Sequence, residues 1–131
     1  MLPNREKKAY ILLVDDDPKI IESFGLALAD SGLYHVDKYT DPLLALSNLK
    51  PSSYDLVLLD MELPNIDSFE LYTKMKKIDS NLKVCFIGTY DNDESHQALR
   101  AQFPSLEPEC FMSKEVSIND LLRIIDAELG K

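Results

Sequence analysis

No apolar run in this chain approaches the roughly 20 residues that a membrane-spanning helix needs. The first eight residues, Met1-Leu-Pro-Asn-Arg-Glu-Lys-Lys8, lack the apolar stretch of a secretory leader, so the expected location is the cytoplasm. Cysteine is scarce. Cys85 and Cys110 are the only two, each in an apolar strand-like run, and in a reducing compartment they are expected as buried free thiols. Positive charge is short as well: 14 Lys and Arg stand against 23 Asp and Glu, a net charge of −9. Such a surface repels a phosphate backbone, which argues against direct nucleic-acid binding. Arg5, Lys7 and Lys8 are read as a solvated cluster in a flexible tail over residues 1–8. There is no internal repeat, low-complexity tract or linker composition.

What is present fits one soluble domain over residues 9–131, because 131 residues with 45 % hydrophobic and 28 % charged content can bury a single core. Its centre is Leu56-Val-Leu-Leu-Asp60. A short apolar run bounded by turn residues reads as a buried parallel strand. Asp60 falls at the strand's carboxyl end, the edge where open α/β sheets bind ligands. Residues 10–14, 34–39, 83–87 and 110–112 are the other expected strands. Asp17-Pro18 and Asp41-Pro42 each pair a capping carboxylate with a proline at the first helical position, and so start helices. The second of these carries Leu43, Leu44, Leu46 and Leu49. Further amphipathic helices follow from Phe69, from Asp93 to about Phe103, and from a capping-box-like Ser117-Ile-Asn-Asp120. Five strands alternating with five helices predict an α/β fold of flavodoxin-like (βα)5 type: a doubly wound, five-stranded parallel sheet with strand order 2-1-3-4-5.

In that order the first and third strands are neighbours. Asp15 and Asp16 after the first strand would meet Asp60 after the third in one crevice. At roughly 5 Å and an effective dielectric near 20, each pair of charges repels by about 3 kcal/mol. A hard divalent cation with oxygen ligands relieves this, and a partly hydrated Mg²⁺ suits a site with few protein ligands. Helix capping explains one aspartate of Asp15-Asp16-Asp17, but not Asp60 at the facing strand end. Lys114 lies just past the fifth strand and should project to the same edge, where its ammonium could bind phosphoryl oxygens. Thr89 brings a hydroxyl to the end of the fourth strand. Read bottom-up, this is a phosphoryl-transfer site.

These segments resemble the receiver domain of two-component response regulators, over essentially the whole chain. Ile11-Leu-Leu-Val-Asp-Asp-Asp-Pro18 looks like that family's first strand and acidic pair. Asp55-Leu-Val-Leu-Leu-Asp-Met-Glu-Leu-Pro64 looks like its phospho-acceptor motif, and Phe111-Met-Ser-Lys114 like its aromatic-and-lysine strand. The resemblance implies that Asp60 accepts a phosphoryl group from a histidine kinase or histidine phosphotransfer protein. It implies Mg²⁺ (or Mn²⁺) held by Asp15, Asp16, Asp60 and the backbone carbonyl of Glu62, with Lys114 on a phosphoryl oxygen. Gly88, Thr89 and Phe111 fall at switch positions. The implied output is contact with a downstream protein, or a second copy, through a face built from segment 93–103, the fifth strand and the last helix. Such a protein is not a conventional enzyme, although it catalyses phosphorylation and dephosphorylation at its own aspartate.

Three positions depart from the family pattern. Gly88 stands where Thr or Ser is usual, with the hydroxyl one residue late at Thr89. Glu115 replaces a proline, so the Lys114–Glu115 bond is expected trans and Lys114 re-aimed. Ser68 replaces a turn glycine. Two other functions compete with a stand-alone phosphorylated receiver. One is a receiver-like binding module whose shape no longer follows phosphate, motivated by Gly88 and Glu115. The other is an aspartyl-phosphate phosphohydrolase, for which Glu62 occupies the place of the second acid.

Overall fold

The computed structural model of the chain describes residues 9–88, 101 and 110–131. The strands are β1 (Ala9–Val14), β2 (Tyr34–Tyr39), β3 (Leu56–Asp60), β4 (Lys83–Gly88) and β5 (Cys110–Ser113). The helices are α1 (Pro18–Asp30), α2 (Pro42–Asn48), α3 (Ser68–Ile78) and α4 (Ile118–Leu129). The helix expected from Asp93 to about Phe103 lies outside the described residues except for Ala101, which is helical and exposed; the 1–8 tail lies outside them too.

All strand pairs are parallel, as the alternation of elements requires, and the order is the flavodoxin-like β2-β1-β3-β4-β5. Strand side chains alternate between two cores. Leu12, Val14, Val57, Leu59, Val84 and Phe86 pack on one face with Ala45, Leu71, Tyr72 and Met75 of α2 and α3. Ile11, Leu13, Leu56, Leu58, Cys85 and Ile87 pack on the other with Phe24 and Leu28 of α1 and Leu121 and Ile125 of α4. Every residue of β3 is buried, so the central strand has no polar side chain except the one that ends it.

The helix starts follow their caps. Asp17 accepts a hydrogen bond from the Lys19 N–H at 2.9 Å. Asp41 accepts from Leu43 and Leu44, Asp67 from Phe69, and Ser117 from Asp120. Gly32, just past α1, has φ 79°, the left-handed backbone that a glycine tolerates at a helix end.

In α2, Leu43 and Leu44 are 59 % and 50 % exposed, while Ala45 and, just past the helix, Leu49 face inward. With seven residues, α2 is too short for periodicity to define its buried face. One expectation is corrected: Cys85 is disulfide-bonded rather than a free thiol, and the described residues hold no free cysteine.

Candidate functional site

The register of β1 against β3 builds the site. Val14 pairs with Leu59, so the next residue on each strand, Asp15 and Asp60, emerge side by side at the carboxyl edge of the sheet. The three aspartates after β1 then take different places. Asp17 turns away to cap α1. Asp15 is 0 % exposed, and its Oδ1 accepts the Asp17 N–H at 2.8 Å. Asp16 stays exposed at the rim. Carboxylate oxygens of Asp15, Asp16 and Asp60 all lie within 4.8 Å of one another.

Asp60 is also 0 % exposed. Its Oδ1 accepts the Glu62 N–H at 2.9 Å and lies 3.2 Å from the Lys114 ammonium. The same ammonium is 3.5 Å from Asp15 Oδ2. Lys114 is placed by its backbone: its N–H donates to the Gly88 carbonyl at 2.8 Å, extending the β4–β5 ladder by one step. Ser113 then shapes the turn, with its hydroxyl accepting the Glu115 N–H at 3.0 Å and its carbonyl accepting the Val116 N–H. No cis peptide occurs among the described residues, so the Lys114–Glu115 bond is trans. The trans turn does not steer the lysine away; its ammonium reaches both buried carboxylates.

Burial governs the electrostatics. It raises the Asp15 carboxyl from its ordinary 3.8 to about 7, against the stabilising Asp17 N–H, with the nearby Asp60 charge adding to the rise. Burial also raises Asp60, opposed by the Glu62 N–H and Lys114. For Lys114 burial works downward, but the charges of Asp15 and Asp60 outweigh it and hold the ammonium above its usual range. Without a further cation, the pair of acids therefore tends to keep a proton near neutrality. Oδ2 of each acid is buried with no hydrogen-bond partner. Such oxygens are costly unless an ion or proton satisfies them. Asp60 Oδ2, and Asp15 Oδ2 with only the Lys114 ammonium at 3.5 Å, stand beside the exposed Asp16 as an all-oxygen donor set suited to Mg²⁺.

The remaining positions singled out in the sequence fall as follows. Glu62 is exposed next to Asp60, and its charge acts on Lys114. Gly88 ends β4, buried, opposite Ser113. Thr89 lies outside the described residues. Phe111 is half-buried and stacks on Phe86, with ring centroids 5.6 Å apart. Ser68 does not need the left-handed backbone of a glycine; the only non-glycine residues with positive φ among those described are Ser52 and Asn65. Instead it opens α3, 4 % exposed, and its hydroxyl donates to the Asp60 carbonyl at 2.7 Å. Sequence reasoning gave Ser68 no role at the site; the available signal was a hydroxyl directly after a capping aspartate.

A cleft of about 740 Å³ opens at the opposite, amino edge of the strands, lined in part by Tyr10, Tyr54, Asp55 and Lys83. Its polar groups are used internally: Asp55 accepts the Tyr10 N–H, and the Lys83 ammonium donates to the Glu128 and Lys131 carbonyls. It is remote from the acidic cluster.

The sheet order, the acidic group at its carboxyl edge and the lysine across from it define a receiver-type α/β domain. The family model of the response regulator receiver domain matches residues 11–126, and the chain belongs to that family. Fimbriae Z protein of Salmonella typhimurium is 29 % identical over 120 residues, covering 91 % of this chain and 55 % of that protein. Hybrid signal transduction histidine kinase B of Dictyostelium discoideum is 37 % identical over 78 residues, 59 % of this chain and 4 % of that one. The chain thus spans about half or less of the length of these curated relatives. Among solved structures, a CheY-like response regulator receiver domain protein from Methanospirillum hungatei JF-1 superposes with a TM-score of 0.81 at 26 % identity, covering 95 % of each chain. The non-phosphorylated HemR receiver domain from Leptospira biflexa also gives 0.81, at 24 % identity over 95 % of this chain and 96 % of that one, a likeness of fold. Receiver domains interact with histidine kinases or phosphotransfer proteins and generally bind Mg²⁺ at an aspartate cluster; the corresponding group here is Asp15, Asp16 and Asp60. No helix among the described residues is long and apolar enough to cross a membrane.

Proposed function

We propose that residues 9–131 act as a signalling receiver that accepts a phosphoryl group on Asp60. The observation that carries this reading is the placing of the Lys114 ammonium 3.2 Å from Asp60 and 3.5 Å from Asp15, both fully buried, beside the exposed Asp16. A partner's phosphohistidine would supply the group: a carboxylate oxygen of Asp60 forms the new O–P bond as the N–P bond breaks, and the imidazole leaves with the electron pair. Asp15, Asp16, Asp60 and the Glu62 carbonyl would hold Mg²⁺, which when bound neutralises charge on the transferring group. Glu62 N–H orients the Asp60 carboxylate. Lys114 is the most accessible member of the buried trio, at 16 % side-chain exposure against 0 % for the two acids. Its ammonium is thus the member of the three placed to meet the phosphoryl oxygens of an incoming donor. Positioning and charge stabilisation are what this chemistry asks of the protein.

Phosphate would add about −1.5 to −2 charges at this edge. The nearest route outward is β5, which carries the Phe111 ring stacked on Phe86 and leads directly into Lys114. Output is read as protein contact through the face that includes β5 and α4, with a downstream protein or a second copy. A second reading, a binding module that takes up phosphate without switching, is favoured by Gly88, which brings no hydroxyl to the end of β4.

The test is intact-mass analysis after incubation with Mg²⁺ and an acyl phosphate. Wild type is expected to gain the mass of one phosphoryl group, with none on Asp60→Asn and none in EDTA. An unmodified wild type would refute the reading. An adduct that leaves the amide spectrum of β5 and α4 unchanged would favour the second reading.

A further inference from the structure

We infer that Ser68 is a positioning residue for the acceptor site, acting by clamping the peptide unit that follows Asp60. This inference rests on the proposed receiver function.

The Asp60 carbonyl and the Met61 N–H belong to one planar peptide unit. Both of its polar ends are held. The carbonyl accepts from the Ser68 hydroxyl at 2.7 Å, in α3, and the N–H donates to the Ile87 carbonyl at 2.9 Å, in β4. A plane fixed at both ends cannot rotate, so the direction in which the chain leaves Asp60 is set by α3 and β4 together. The next amide, Glu62 N–H, donates to Asp60 Oδ1. The rotamer of the acceptor carboxylate is thereby coupled to the same plane, and so is the course of the backbone that leads to the Glu62 carbonyl.

The Ser68 bond is also non-local. It joins residues eight apart and closes the loop from β3 to α3 on itself. Asp67 caps α3 one residue earlier, so the hydroxyl is carried by the first, most constrained turn of a helix. Ser68 is 4 % exposed, and its removal would leave a buried carbonyl without that donor. Glycine or alanine at this position keeps the fold's path but cannot hold the plane. The predicted consequence is a looser carboxylate and a weaker oxygen site, as when an outer-shell hydrogen bond to a metal ligand is lost.

The experiment titrates Mg²⁺ alone into wild type, Ser68→Ala, Ser68→Gly and Asp79→Ala, following tyrosine fluorescence and the Glu62 amide resonance. Asp79 anchors the Ser52 and Asn81 N–H groups at the far end of the sheet, so its variant loses stability without touching the site. Ser68→Ala and Ser68→Gly are expected to weaken Mg²⁺ about tenfold, the lower end of the effect of outer-shell partners. Their Glu62 amide resonance should move toward that of an unbonded N–H, whereas Asp79→Ala should keep both wild-type affinity and wild-type shift. Wild-type affinity and shift in both Ser68 variants, or equal weakening in Asp79→Ala, would overturn the inference while leaving the receiver function standing. A wild type that binds no Mg²⁺ would overturn both.

Discussion

Raising the pH in the absence of divalent metal should destabilise the folded chain, and the buried acids set the size of the effect. Asp15 has its carboxyl raised from 3.8 to about 7 by burial. Between these values the native state holds a proton that the unfolded chain has released, so stability falls as pH rises through that window. Asp60 is shifted the same way, but the two neighbours share largely one proton. Lys114 is raised above its ordinary 10.5, so its contribution is constant until well above neutrality and leaves the slope unchanged. From about pH 5 up to the folded value is about two units at about 1.4 kcal/mol each, giving roughly 3 kcal/mol. For a chain of this size that is roughly 10 °C in Tm. Urea unfolding followed by far-ultraviolet circular dichroism, in EDTA, at steps from about pH 5 to about pH 8 measures it. Mg²⁺ should narrow the gap, because it binds the ionised acids and only in the folded state. Asp15→Asn should remove most of the slope. Stability that is flat or rising with pH in EDTA, or an unchanged slope in Asp15→Asn, would refute the account of the pair.

Lys114→Met removes the ammonium from both acids. The rate of adduct formation should fall about 10²-fold, the usual cost of one charge-stabilising donor. Mg²⁺ should bind at least as tightly, since a competing cation is gone; timed intact-mass spectra and a metal titration read the two effects. Asp41→Ala deletes the cap that accepts from Leu43 and Leu44, and the seven-residue α2 should lose about 1 kcal/mol, seen as a lower urea midpoint. Its phosphorylation rate should match wild type, because the Asp41 carboxylate accepts from Leu43 and Leu44 and not from any group of the acidic cluster.

The features legible in the sequence are those written locally. β3 announced itself as a buried strand ending in one carboxylate, and the proline-and-aspartate pairs marked the starts of α1 and α2, because capping depends only on the next two or three residues. The alternation of elements implied a parallel sheet, and the flavodoxin-like strand order placed Asp15 and Asp16 beside Asp60. What stayed hidden depends on paths through space. The disulfide at Cys85 is a contact through space that its own strand-like run does not show. The exposure of Leu43 and Leu44 follows from which side of a short helix meets the sheet. Lys114 reaches the acids through a trans turn templated by Ser113, an arrangement that replacing proline with Glu115 did not suggest. The Ser68 hydroxyl meets a carbonyl eight residues upstream, so a reading by helix propensity could not find it.

The central claim is that Asp60 is the acceptor, and the most direct measurement is the location and chemistry of the phosphoryl group on protein treated with Mg²⁺ and an acyl phosphate. Peptide mapping is predicted to place it on the fragment containing Asp60, as an acyl phosphate that hydroxylamine removes. A group resistant to hydroxylamine, or one placed on a serine, threonine or histidine peptide with Asp60 unmodified, would contradict the account.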